Sequence, residues 1–208
     1  MSGADWAGAL RAWGELLGAE RVRSDESSLG RIARNVSGLR RRIPAVVRPR
    51  TVEDVVQVVQ IARRHHTPIH PISRGCNWGM GSKLPPRDDT VVLDLSDLNR
   101  IREINPAGRY AVVEAGVTQG QLYERLKQDR LPLRFNVTGS SADSSLIGNA
   151  LERGVGYLDS RVHFLSGLEV VLGTGEVIRT GFGHIEGART THLYRPGVGP
   201  SLDALFAQ

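Results

Sequence analysis

The residues of this chain best suited to chemistry lie in one stretch, Pro71-Ile72-Ser73-Arg74-Gly75-Cys76-Asn77-Trp78-Gly79-Met80-Gly81. Three glycines and a serine follow a short apolar run, so the backbone can turn tightly and aim successive N–H groups into one concavity. Such a concavity binds an anion. A phosphate or pyrophosphate fits best, because Gly75, Gly79 and Gly81 leave no Cβ in the way of a close backbone approach. The spacing lacks the Gly-Lys-Ser/Thr ending of a P-loop, and it is not the dinucleotide pattern that opens a helix directly after a strand. Cys76 lies in the loop with no adjacent base, which favours a small filler over a nucleophile. His65, His66 and His70 suggest a metal cluster by type, but the first two end a helix and the third lies in the next strand, so no metal site is expected.

The elements around the loop explain its position. Ala45-Val46-Val47 is a short β-type run closed by Pro49. Thr51 then caps a helix with Glu53 and Asp54 in its first turn, Val52, Val55, Val56, Val59 and Ala62 along one face, and Arg63-Arg64-His65-His66 at its negative end. A second strand, residues 69–73, leads into the loop. Strand, helix, strand, loop is a right-handed crossover unit, which puts the loop at the carboxyl end of a strand, where α/β sheets bind ligands. Residues 90–95 and 109–114 read as further strands. Thr118 caps a helix over residues 119–128, and a coil rich in Ser, Thr, Gly and Asn precedes a short helical piece through Leu146 and Ile147. Strands over residues 167–172 and 176–180 are joined by Gly173-Thr174-Gly175, a hairpin signal. At the N-terminus, Trp6, Leu10, Trp13, Leu16 and Leu17 recur at helical spacing before Gly18, a docking helix. Residues 21–42, polar and weakly periodic, are expected to form a basic arm over the surface.

Composition bounds the possibilities. At 208 residues, with 40% apolar and 24% charged residues, the chain can bury a core and is ordinary for a soluble protein. No apolar run reaches the roughly 20 residues of a membrane helix, and the first residues lack the pattern of a secretory signal. A cytoplasmic location is the expectation. One cysteine excludes an internal disulfide and a cysteine-based zinc site. The net charge of +5 comes mainly from arginines spread along the chain. No zinc finger, basic zipper or stacking-aromatic motif accompanies them, which favours a phosphate-binding surface over nucleic acid.

Several ordered blocks resemble the PCMH-type FAD-binding domain of the vanillyl-alcohol oxidase and p-cresol methylhydroxylase family. Residues 71–81 are similar to its pyrophosphate loop, residues 91–99 to the strand and turn that follow, and Val113-Glu114-Ala115-Gly116-Val117 to the strand beside the adenine end of the cofactor. Gly148-Asn149 and Arg153-Gly154-Val155-Gly156-Tyr157 resemble the segment passing the flavin. Leu168-Glu169-Val170-Val171-Leu172, Gly175-Glu176-Val177-Ile178-Arg179-Thr180-Gly181 and Gly199-Pro200-Ser201-Leu202-Asp203 complete the set. The resemblance covers residues 46–208 and implies a two-lobed α+β fold. A βαβ lobe (residues 45–105) precedes a lobe with a mixed or antiparallel sheet and flanking helices (residues 106–208), both after an N-terminal helix and arm (residues 1–44).

What the resemblance implies for the site is an extended FAD lying between the lobes. The stretch Ile72, Ser73, Arg74, Gly75, Cys76, Asn77 and Trp78 would cradle the pyrophosphate, without a metal ion. Thr138, Gly139, Ser140 and Ser141 would donate from the other side, and Val117, Glu169 and Val177 would line the adenosine. Gly148, Asn149, Arg153, Gly154 and Gly156 would pack near the flavin middle, with His163 touching the cofactor. A positive group or N–H near the flavin N1–C2 edge would stabilise the reduced anionic ring. Another branch of the superfamily tethers flavin through a histidine in this loop; Cys76 and Asn77 stand there instead, so FAD is expected to be non-covalent.

Departures from the pattern bear on the reaction. Phenol-oxidising members commonly carry a tyrosine at the position of Met80 and an acidic residue at that of Val162, and the stretch Leu158-Asp159-Ser160-Arg161 also differs. Relatives continue into a cap domain over the substrate, beyond the last residue of this sequence. The expectation is that the sequence is either a fragment or one whose cap side is covered by a second polypeptide or by self-association. The reading is an FAD-linked oxidoreductase module acting on a small organic substrate, or else a non-catalytic flavin binder. No residue is assigned as catalytic base.

Overall fold

The structure, a computed structural model, describes residues 4–77, 80, 83–187 and 202–207. The chain forms two compact units, Met1–Leu98 with Gly173–Glu176, and Asn99–Leu172 with Val177–Gln208. Among the described residues no helix is long and apolar enough to cross a membrane.

In the first unit, α1 (Trp6–Leu17), β1 (Val22–Arg23), α2 (Glu26–Ala33), β2 (Val46–Val47), α3 (Val52–Arg64), β3 (Ile69–Ile72) and β4 (Val91–Asp94) follow in order. The sheet runs β1-β2-β4-β3, with β2, β4 and β3 parallel and β1 antiparallel at the edge. Val91, Val92 and Leu93 are consecutive and all buried, the mark of a parallel strand covered on both faces. Helix α3 forms the crossover from β2 to β3, begun by a capping box in which Thr51 and Asp54 exchange backbone-to-side-chain hydrogen bonds at 3.0 and 3.1 Å.

The buried face of α3 differs from the expected stripe. Val55, Val59 and Ala62 are buried as the spacing predicts, but so are Val58 and Ile61, while Val52 and Val56 are only half-buried. The helix has a second cover. Trp13 of α1, fully buried, donates its indole N–H to the Val58 carbonyl at 3.1 Å. The His65 imidazole pairs through Nδ1 with Asp5 at 2.8 Å, clasping the end of α3 to the start of α1.

The polar stretch 21–42 is more ordered than expected. It contains β1 and α2, the latter capped by Asp25, whose carboxylate accepts the Ser28 N–H at 3.0 Å. Ile32 inserts among Ile43, Val46, Ile72, Leu84 and Val92. Leu29 packs against the same cluster, and two apolar positions on α2 are too few to leave a periodic signal.

The second unit holds the antiparallel pair β5 (Ile101–Asn105) and β6 (Tyr110–Val113), then α4 (Gln119–Gln128), α5 (Leu146–Leu151), a 3₁₀ turn (Arg161–Phe164), the hairpin β7 (Glu169–Val171) and β8 (Val177–Arg179), and α6 (Leu202–Ala207). Strand β5 was not expected; it carries only two apolar residues and is defined by its pairing with β6. Thr118 and Gln121 form the capping box of α4. Val117, Leu122, Leu126 and Leu146 make one core, and Ala150, Val162, Leu165 and Ala207 make another. The α+β architecture, a βαβ lobe followed by one of antiparallel hairpins and helices, is the one the resemblance implies.

Candidate functional site

In the first unit the glycine loop leaves β3 at the carboxyl end of the parallel strands. Ile72 is buried, and its carbonyl accepts the Leu95 N–H at 2.9 Å. Ser96 then holds the start of the loop from beneath, its hydroxyl 2.8 Å from the Ser73 carbonyl. Gly75 has φ +63°, a conformation that favours glycine, and a Cβ there would press on Lys83 at 3.1 Å from its Cβ and Cδ. The N–H groups of Arg74, Gly75, Cys76 and Asn77 find no acceptor among the described residues. Four open donors on a tight turn suit a phosphate oxygen. Cys76 is exposed, its thiol 3.6 Å from the Arg74 carbonyl, and the exposed Met80 donates its N–H to Asn77 at 2.7 Å. Trp78, expected in the cradle, lies outside the described residues, as do Gly79, Gly81 and residues 199–201.

The support beneath this loop was not visible in the sequence. The buried Arg21 donates to the Arg48 carbonyl at 2.8 Å and to Asp97 at 3.1 Å, while Arg48 pairs with Asp94 at 3.3 Å and Asp97 at 3.1 Å. Asp94 in turn accepts the Ser96 N–H at 3.0 Å and lies against the Ser96 hydroxyl, which shares its one proton between Asp94 and the Ser73 carbonyl. Two arginines that read as surface charge brace the strand ends from which the loop departs.

In the second unit, Gln119 organises the 138–144 coil. This buried glutamine donates to the Ser141 carbonyl at 2.6 Å, accepts the Thr138 N–H at 3.3 Å, and donates its own N–H to the Ser144 carbonyl at 2.9 Å. The Ser140 hydroxyl accepts from Ser144 at 2.8 Å, the exposed Ser141 hydroxyl accepts the Asp143 N–H at 3.2 Å, and Gly139 is exposed with open space at its Cα. The polar groups of this coil are therefore presented on a fixed backbone.

Two asparagines and two glycines form the tightest part of the unit. A Cβ at Gly154 would lie 2.0 Å from Asn149 Oδ1, and one at Gly156 would lie 1.9 Å from Asn136 Oδ1. Asn136 is buried and donates through Nδ2 to the Asp159 carbonyl at 2.9 Å, but its Oδ1 has no donor among the described residues. The two glycines thus make room for the asparagine side chains, and the Asn136 oxygen is left as an orphaned acceptor that a polar ligand can satisfy. Asn149 Oδ1 accepts from Arg161 at 3.0 Å. The Gly148 N–H is used by the Ser145 cap at 2.9 Å, and Arg153 is exposed at φ +55°. His163 is exposed, its Nδ1 2.7 Å from the Asp159 carboxylate. That imidazole, with the Ser160 N–H, holds the Asp159 carboxyl below the usual carboxylate range.

The hairpin brings Glu169 and Val177 to one face, since Glu169 pairs in register with Arg179 and Val171 with Val177. Glu169 is gripped by Arg179 at 3.0 Å and Arg102 at 3.4 Å. Arg102 also reaches Glu114 at 3.3 Å, as does Arg100 at 2.9 Å, so one chain of ion pairs links β5, β6 and the hairpin. Burial pushes the Glu114 carboxyl up, but hydrogen bonds from the N–H and guanidinium of Arg100 and from Arg102 hold it below its ordinary value. Val117 is fully buried in the core, its N–H donating to Glu114 and its carbonyl accepting from Leu146. It faces the interior, and its polar groups are already engaged.

The profile of the family described as "FAD binding domain" matches residues 43–181. The chain is 41% identical over 202 residues to the 1'-carboxy-chondrochloren decarboxylase of Chondromyces crocatus, covering 96% of this chain and 37% of that protein. It is 38% identical over 205 residues to the 4-cresol dehydrogenase (hydroxylating) flavoprotein subunit of Pseudomonas putida, covering 96% and 39% respectively. Its fold matches the crystal structure of p-cresol methylhydroxylase with substrate bound at a TM-score of 0.94 and 35% identity, over 99% of this chain and 41% of that one. The chain thus spans about two fifths of the length of these relatives.

Proposed function

The chain belongs to the FAD binding domain family and takes FAD as its cofactor, and on that premise we propose that it is the cofactor-holding part of an FAD-linked oxidoreductase. Bound FAD supplies the chemistry of accepting a hydride equivalent from a small organic substrate. The observation that supports the reading is the loop after β3, at the carboxyl end of a parallel sheet, whose four N–H groups have no acceptor among the described residues and suit a pyrophosphate.

The roles of this chain's own residues follow from their surroundings. Arg74 to Asn77 bind phosphate oxygens through the backbone, and Ser96 keeps that backbone in place. Thr138 to Ser141 offer further N–H and hydroxyl groups on the coil fixed by Gln119. Gly154 and Gly156 make room for the Asn149 and Asn136 side chains, whose open Asn136 oxygen offers the cofactor an acceptor. Glu169 and Val177 present a polar and an apolar contact on one hairpin face.

Further protein completes the substrate site in this proposal, as a following cap domain or a partner chain. One relative is named as a flavoprotein subunit. Val155, Tyr157, Leu158 and Phe164, within eleven residues of one another in sequence, are all more than half exposed, which favours a covering surface over open solvent. Purified chain mixed with FAD should show protein-bound flavin absorption, and the full assembly should be bleached anaerobically by its organic substrate. Protein that stays colourless in excess FAD would refute the reading.

A further inference from the structure

Arg161 is a buried cation that none of the contacts above explains. It is 5% exposed, and its guanidinium makes one hydrogen bond among the described residues, from Nη1 to Asn149 Oδ1 at 3.0 Å. No carboxylate pairs with it there, in contrast to Arg21, Arg48, Arg100, Arg102 and Arg179. Burial draws its pKa down from the ordinary arginine value, yet a guanidinium stays charged in proteins. A neutral amide oxygen does not neutralise that charge, and an unpaired desolvated cation is unfavourable unless an anion joins it.

Its position is specific. The Arg161 N–H donates to the Gly154 carbonyl at 2.8 Å, which sets the residue against the glycine segment. Because arginine only donates, the Asn149 atom facing it must be the oxygen, and Nδ2 is turned away as a donor with no acceptor among the described residues. Gly154 gives the Asn149 side chain its place, since a Cβ there would lie 2.0 Å from Oδ1. A positive charge with no carboxylate partner among the described residues and an oriented amide donor therefore meet in one place.

We propose that Arg161 is an anion-recognition residue of the cofactor site, which takes an anionic oxygen of bound FAD and positions Asn149 as a second donor to it. The inference rests on the FAD reading above. Two oxygens of the cofactor have the required charge: those of its phosphates, in either redox state, and that of the reduced anionic ring.

The test loads the purified chain with FAD and compares it with Arg161→Gln, Arg161→Lys and Asn149→Asp. FAD affinity is read by titration of the apoprotein, and the two-electron midpoint potential by anaerobic dye equilibration. Arg161→Gln should weaken FAD binding about tenfold, or lower the potential by about 30 mV, the two-electron equivalent of a tenfold change. Weaker binding at constant potential assigns the anion to the phosphates; a lowered potential assigns it to the reduced ring. Arg161→Lys should retain most of either effect. Asn149→Asp neutralises the cation without deleting it, so it should act in the same direction even where Arg161→Gln fails to fold. Affinity within twofold and unchanged potential in both Arg161→Gln and Asn149→Asp overturn the proposal, including where Arg161→Gln has lost stability to urea. Unaltered chain that takes up no FAD overturns the cofactor reading itself and this inference with it.

Discussion

Thr180 donates its hydroxyl proton to the carboxylate of Asp203, a residue with no exposed surface, and so ties the end of β8 to α6. The same threonine oxygen accepts the Leu168 N–H at 2.7 Å, and the other carboxylate oxygen lies 3.4 Å from the Gly167 N–H. Asp203→Ala leaves the buried Thr180 hydroxyl only the Leu168 carbonyl at 3.4 Å and the Gly167 N–H no acceptor among the described residues, a cost of about 1–3 kcal/mol. Asp203→Asn keeps one oxygen and should lose less. Urea unfolding measures both, and an unchanged midpoint in Asp203→Ala would contradict the tie.

Glu114 gives the second unit a dependence on acid. Its folded pKa lies below the unfolded value, which is about 4.3 for a free glutamate. Its stabilisation is therefore full above that value and is lost as pH falls through the folded pKa. Arg100 and Arg102 are partly solvated, which moderates the pairing, and Glu114→Ala should cost about 1–3 kcal/mol near neutral pH. In Glu114→Gln the fall in urea midpoint between neutrality and acid should be shallower than in the unaltered chain. Parallel curves would show that Glu114 does not titrate with folding.

What the sequence reveals and conceals follows from the range of the forces involved. Val55 and Val59 could be placed by helical spacing, but the burial of Val58 depends on Trp13, 45 residues earlier. The capping boxes of α3 and α4 are local and legible; β5, with two isoleucines in five residues, is defined only by its partner strand. In the site, glycine-rich segments announce close backbone approach. Arg161, Gln119 and Ser96 look like ordinary polar residues, because their roles come from contacts 12 to 23 residues away. Buried arginines are the systematic blind spot, since composition assigns them to the surface.

Gly156 is matched to Asn136, the asparagine with the open oxygen. A methyl group there would lie 1.9 Å from Asn136 Oδ1, and Asn136 is held through Nδ2 to the Asp159 carbonyl. Gly156→Ala must displace that side chain, an overpacking change of about 1–3 kcal/mol. FAD affinity should fall about tenfold or more. Asn136→Ala in the same chain removes the obstructing oxygen and should restore part of the loss. If the double variant is no better than Gly156→Ala alone, the asparagine is not what the glycine accommodates.

Ser96 and Gly75 act on the phosphate loop in different ways, and binding experiments can separate them. Ser96→Ala removes the hydroxyl bond to the Ser73 carbonyl while leaving the Gly75 conformation possible. It should cost about 1 kcal/mol of stability and weaken FAD binding modestly, because the N–H groups of Arg74 to Asn77 are less well anchored. Gly75→Ala confronts the positive φ, a penalty of about 1–2 kcal/mol, together with the 3.1 Å approach to Lys83. Lys83 Cβ moves only with its backbone, so the strain of the positive φ and this contact together shift the turn and redirect the N–H groups. FAD affinity should therefore fall much further in Gly75→Ala than in Ser96→Ala for a similar change in urea midpoint. Equal losses of affinity would mean that the loop contributes through its stability rather than through the direction of its N–H groups.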